Sequence, residues 1–151
     1  MCAGDRVGGL MSAVELRGLS FRYPGASEDT LTDLNLSIGE GEAHALLGGS
    51  GAGKTTLISI ICGLVSPSTG SVKVGGYDII DDYRKTRDLI GLVPQETVLF
   101  GDSARENIRY GKPDADDFAV EQAAIAAAAD EFITALPDGY ETFLGERGTR
   151  L

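Results

Sequence analysis

Eight residues, GGSGAGKT from Gly48 to Thr55, constrain this chain more than any other stretch. They fit the pattern G-x-x-x-x-G-K-S/T. A loop this rich in small residues lets successive backbone N–H groups turn inward around an anion. A helix starting at the lysine adds the positive end of its dipole to the same point. The lysine supplies a point charge, and the hydroxyl after it can ligate a divalent cation. The pattern carries this meaning only between a buried strand and a helix. Both are legible. AHALL (Ala43–Leu47) is a continuous apolar run, as expected of a strand buried on both faces. Lys54–Cys62 reads as a helix stopped by Gly63 and SPSTG. The bland alternative is a Gly-rich turn that binds nothing.

The flanking sequence has a clear order. Val14 and Leu16 alternate with polar residues, and Leu19, Phe21 and Tyr23 resume the alternation one residue out of step. A β-bulge at Gly18 explains the slip. PGASEDT is a loop, after which Leu34, Leu36 and Ile38 predict a second strand, followed by a GEGE turn. SVKV-GG-YDI reads as a hairpin. LIGLV (Leu89–Val93) predicts another buried strand, closed by Pro94. Helical signals then dominate. SARE (Ser103–Glu106) has capping-box spacing, and Asp114, Asp116 and Asp117 suit the start of a helix through FAVEQAAIAAAA. Asp130 reads as the N-cap of one more helix, with Phe132 and Leu136 at i and i+4 and an end at PDG.

Composition narrows the function classes. A length of 151 residues suits one ordinary domain, and 42% hydrophobic residues suffice for a core. The net charge of -10 repels nucleic acid and anionic membrane as a whole, so any phosphate site must be local. Two cysteines, Cys2 and Cys62, form neither a disulfide framework nor a metal pattern and suit a reducing compartment. The longest apolar stretch, LISIICGLV, is nine residues, too short to span a membrane. Residues 1–12 read as a Gly-rich leader or linker remnant ahead of a domain over 13–151.

Taken together, these motifs resemble the ATP-binding domain of ABC transporters, in that family's order. The resemblance implies an α/β fold of the P-loop NTPase class: an antiparallel β subdomain, part of a RecA-like core and part of a helical subdomain. It implies ATP and Mg²⁺ as ligands, held by Gly48, Gly49, Ser50, Gly51, Ala52, Gly53, Lys54, Thr55 and Thr56. FRYPG is similar to the aromatic loop that stacks on adenine, through Tyr23. The alternative for Tyr23 is a strand-end side chain packing on the core. LVPQE is similar to the Q-loop, 41 residues after Lys54. There Gln95 would approach Mg²⁺ and the γ-phosphate and sense the attacking water. With Thr55, Gln95 would complete the metal site. LFGDSARENIRYG and LPDGYETFLGERGTRL resemble exporter-type members, in which Glu146 and Arg147 would face the membrane domain. The implied partners are a transmembrane domain or subunit and a second ATP-binding domain, packed head to tail. The implied location is the cytoplasmic side of a membrane, held there through the partner.

The family's signature sequence would begin at Leu151. The 151 residues hold no match to its Walker B strand, D-loop or switch histidine. AAAADE (Ala126–Glu131) mimics Walker B only superficially, because poly-Ala favours helix. DIIDD (Asp78–Asp82) has too short an apolar run. His44, ahead of the phosphate loop, is expected to be a packed strand residue. The chain alone is therefore expected to bind nucleotide without hydrolysing it. Ala43–Leu47 is expected to lack its parallel neighbours and to leave an apolar edge. The competing readings are another P-loop NTPase, though no N-K-x-D motif or Arg-rich lid is evident, and a non-catalytic interaction fragment.

Overall fold

The computed structural model describes residues 12–95 and 98–145. The chain divides into two compact units, one running to Leu92 and one starting at Val93.

Among the described residues, the first unit holds a four-stranded antiparallel sheet. Its members are β1 (Ser12–Phe21), β2 (Leu31–Gly39), β3 (Thr69–Val74) and β4 (Tyr77–Asp78), in the order β2-β1-β3-β4. The strand begins at Ser12, which pairs with Gly39, so the expected leader overruns the fold by one residue. The slip expected at Gly18 is present. The β1–β2 register shifts between Leu16 and Leu19, and Gly18 takes φ 57°. This re-phasing buries Leu16, Leu19 and Phe21 together. Gly70 on β3 lies hard against the bulge. A Cβ there would stand 2.4 Å from the Gly18 carbonyl oxygen. The Gly75-Gly76 turn has φ 56° and 81°, as a two-residue I′ hairpin requires, and it pairs Val74 with Tyr77.

Helix α1 (Lys54–Ile61) lays Leu57 and Ile60 onto the core formed by Leu16, Leu19, Phe21, Leu31, Val72, Val74 and Ile79. It ends in a Schellman motif. Gly63 has φ 66°, its N–H donates to Ile60 O, and the Leu64 N–H donates to Ser59 O. Cys62 caps this end, and partial burial pushes its thiol pKa up.

Three expectations for this unit need correction. The stretch 43–47 is not a strand. Among the described residues no backbone hydrogen bond joins it to another segment, and Leu47 is 87% exposed. A strand exists only by pairing, and the apolar run 43–47 has no partner among the described residues. His44 is accordingly not packed. It is exposed and meets Glu42 at 2.8 Å. The Glu42 carboxyl is held below its usual range by the Gly39 N–H and by His44. The third correction concerns Leu89–Val93, also expected as a buried strand. Helix α2 (Tyr83–Asp88) precedes it, and Leu89 and Ile90 return their N–H groups to Thr86 O and Arg87 O. Val93 is 90% exposed. A helix tail has replaced the start of the strand.

The second unit is helical: α3 (Ala104–Arg109), α4 (Asp117–Ala126), α5 (Asp130–Thr134) and a 3₁₀ turn at Gly139–Glu141. Its core is Ala104, Val120, Ala124, Ile133, Tyr140 and Leu144. Ser103 accepts from the Glu106 N–H at 3.2 Å, which is half of the expected capping box. The other half is displaced, because the Ser103 N–H donates to Asp102 and Glu106 pairs with Arg109. Asp116 caps α4 through the Ala119 N–H at 2.8 Å. That helix stops at Ala126, short of the expected run, because Ala128 adopts φ 54°. Asp130 is the first residue of α5 and not its cap. Its carboxylate accepts from the Tyr140 hydroxyl at 2.7 Å instead. The buried member of α5 is Ile133, whereas Phe132 is exposed.

Candidate nucleotide site

The site is built where the turn after residue 47 meets the start of α1. Gly51 and Gly53 take φ 78° and 83°, both left-handed. These two reversals wrap the loop around the helix N-terminus. Gly53 must also be glycine for space. A Cβ there would meet Leu31 Cδ2 at 2.7 Å and Thr30 O at 3.1 Å. At Gly49 and Gly51 an added Cβ would meet nothing within 4 Å. The loop is thus packed on its inner side at Gly53 and open at Gly49 and Gly51. Gly48 is closer to its neighbours, with Ala52 Cβ 3.2 Å from where its own Cβ would stand.

The first turn of a helix has N–H groups without intrahelical acceptors. Here the first ladder bond runs from the Leu57 N–H to Gly53 O, and the N-cap residue Gly53 has no side chain to satisfy the earlier donors. No acidic residue sits in that turn. Lys54 Nζ folds back and donates to Gly48 O at 2.8 Å and Gly49 O at 2.7 Å. Among the described residues no carboxylate pairs with it. A cation held by carbonyls, beside unfilled N–H donors, forms a concave positive site on a strongly acidic chain.

Tyr23 completes the same cleft. The cleft measures about 330 Å³ and is lined by Tyr23, Thr30 and Gly51 to Thr56. The Tyr23 hydroxyl lies 2.9 Å from Thr56 Oγ1. Its ring meets Phe21 edge-on, with centroids 4.8 Å apart. It remains 47% exposed. Thr55 is exposed at the mouth, whereas Thr56 is buried. Gln95 is exposed on the bend after Pro94 and belongs to the second unit. Glu146 and Arg147 lie outside the described residues. Sequence reasoning overlooked Phe21 and Thr30 as parts of the site. Thr30 carried no signal beyond its place at the end of the loop facing FRYPG.

Among the described residues no cluster of three or more His, Cys, Asp or Glu could hold a metal. The Thr55 hydroxyl is a single oxygen ligand. A Mg²⁺ ion here fits only as Mg²⁺ usually binds, mostly through phosphate oxygens and water.

The sequence profile of the ABC transporter family matches residues 31–146, a span that takes in the loop, Lys54 and Gln95. The chain belongs to the ABC transporter family. Its residues correspond to the ATP-binding domain of ABC exporters. It is 44% identical over 149 residues to ABC transporter B family member 1 of Arabidopsis thaliana, covering 97% of this chain and 11% of that protein. It is 42% identical over 139 residues to heavy metal tolerance factor 1 of Caenorhabditis elegans, covering 91% of this chain and 17% of that protein. The solved structure of a bacterial Atm1-family ABC exporter with ATP bound superposes with a TM-score of 0.84 at 35% identity, over 93% of this chain and 25% of that one. The chain therefore spans a quarter or less of the length of these relatives. The match also settles the fold class as a mixed α/β ABC ATP-binding domain with an antiparallel sheet.

Proposed function

We propose that this chain binds Mg²⁺·ATP at the Gly48–Thr56 loop and serves as the nucleotide-binding part of an exporter. The observation that carries the proposal is the convergence in one cleft of Lys54, the free N-terminus of α1 and the half-exposed Tyr23 ring. Lys54 Nζ would exchange the Gly48 and Gly49 carbonyls for β- and γ-phosphate oxygens. The N–H groups of the first turn of α1 would complete the phosphate cradle. Tyr23 would stack on adenine. Thr55 would give the cation a protein oxygen, and Gln95 stays the second ligand that the family resemblance implies. When bound, Mg²⁺ neutralises phosphate charge.

Turnover needs more than binding. A general base or water-positioning group and a metal-site aspartate are the usual further parts. Within these 151 residues only Gln95 is a candidate for such a role. We therefore assign the chain by itself nucleotide binding without turnover. In the exporter, the partners would be a transmembrane domain and a second ATP-binding domain packed head to tail. The ATP-bound exporter that the fold matches supports this setting. Among the described residues no helix is long and apolar enough to cross a membrane. A place at the cytoplasmic face would then come through the transmembrane partner.

The test measures ATP binding and phosphate release on one sample. Binding without release, lost in Lys54→Ala, is the expected result. Release that Lys54→Ala abolishes would show that the chain carries its own catalytic parts. Binding of GTP in strong preference to ATP would favour another kind of P-loop enzyme.

A further inference from the structure

One side chain at this site does a task that the phosphate pattern does not assign. Tyr23 follows β1 at the start of a loop, where its ring would otherwise turn freely. Two contacts fix it. Phe21, the last residue of β1, is buried, and its ring stands at 86° to that of Tyr23. Thr56, 6% exposed on the first turn of α1, sits with Oγ1 2.9 Å from the Tyr23 hydroxyl. Its neighbour Thr55 is exposed and faces the open cleft with no such bond. Two adjacent threonines, about 100° apart around the helix axis, have therefore been given different surroundings.

We propose that Thr56 is a positioning residue for the nucleotide base. Its hydroxyl ties the aromatic platform to the same helix whose N-terminus receives the phosphates. The proposal rests on reading the loop as an ATP site. The tie sets the spacing between base and phosphate sites before ligand arrives. A ring that must be ordered during binding takes that entropy cost out of the affinity, and a ring already ordered does not. The two hydroxyls form a single neutral hydrogen bond, so removing either one loosens the platform by a comparable amount.

The experiment compares Mg²⁺·ATP with Mg²⁺·tripolyphosphate, which has the phosphates and no base. Tyr23→Phe keeps the ring and removes only the hydroxyl. Thr56→Val removes the other partner, and Thr56→Ser retains it. Each of Tyr23→Phe and Thr56→Val should weaken ATP binding about five-fold, the scale of one neutral hydrogen bond. The double variant should be no weaker than either single one. Tripolyphosphate affinity should stay unchanged in Tyr23→Phe, whose residue lies outside the phosphate loop, and Thr56→Ser should bind ATP as the parent does. Because Thr56 is buried, Thr56→Val could fail to fold. Tyr23→Phe, at an exposed residue, then decides the matter with Thr56→Ser. Unchanged ATP affinity in Tyr23→Phe, additive losses in the double variant, or a parallel loss for tripolyphosphate in Tyr23→Phe would overturn the inference. If the parent chain binds no ATP, or binds it equally well as Lys54→Ala, the ATP-site reading fails and takes this inference with it.

Discussion

Gly53→Ala, measured against Gly51→Ala, tests how the loop is built. Both glycines adopt left-handed backbone, at φ 83° and 78°. Placing an L-residue there costs about 1–2 kcal/mol at either position. The two sites differ in space. A Cβ added to Gly51 would meet nothing within 4 Å, whereas one added to Gly53 would fall 2.7 Å from Leu31 Cδ2 and 3.1 Å from Thr30 O. Leu31 is buried in the core, so its branch has little room to retreat. Overpacking of this kind costs about 1–3 kcal/mol. Gly53→Ala should therefore lose about 2–5 kcal/mol and Gly51→Ala about 1–2 kcal/mol. Urea unfolding followed by far-ultraviolet circular dichroism reads both. If Gly53→Ala is already unfolded in buffer while Gly51→Ala melts cooperatively, the order still holds. Equal losses would refute the claim that Gly53 is wedged against β2.

Other outcomes follow from local geometry. Ala128 ends α4 in left-handed backbone where glycine is favoured, so Ala128→Gly should stabilise the chain by about 0.5–1 kcal/mol in the same urea assay. Asp130, accepting the Tyr140 hydroxyl, pushes the Tyr140 pKa up to about 12, with Glu121 adding to the effect and the Arg105 guanidinium opposing it. A raised pKa favours the folded state fully below the unfolded tyrosine value of about 10, and that support is lost as pH climbs through about 12. Tyr140→Phe should therefore lack the part of the stability decline that falls between those two pH values. Leu47, 87% exposed on an unpaired apolar run, marks the chain as prone to association. Leu47→Lys should reduce light scattering on gentle heating. Scattering that is the same in Leu47→Lys and the parent would count against this reading of the edge.

The legible parts of the fold were those in which local chemistry is self-sufficient. The bulge at Gly18 showed as a slipped alternation, the I′ turn as a Gly-Gly pair, and the α1 boundaries as Lys54 and Gly63. Each depends on residues within a few positions of one another. The unreadable parts depended on distant partners. Ala43–Leu47 has the composition of a buried strand, yet composition does not supply a neighbour to pair with. Leu89–Val93 looked the same and yielded its first residues to α2. That helix was missed although Asp82 precedes it and Lys85 and Arg87 sit in its last turn, favourable to the dipole at both ends. Asp130 had the right type for a cap and was drawn off by Tyr140, 10 residues away. Motif order singled out the loop and Tyr23, and the fold brings them to one cleft. The Tyr23–Thr56 bond was not readable, because it joins residues 33 positions apart.

The central claim is that one cleft on the first unit receives both phosphates and base. Titrating Mg²⁺·ATP into the isotope-labelled chain and following its amide and aromatic NMR signals tests this most directly. Saturable shifts should concentrate at the amides of Gly48 to Thr56 and at the Tyr23 ring, and should be absent in Lys54→Ala. Shifts confined to other residues, or the same shifts in Lys54→Ala, would contradict the claim.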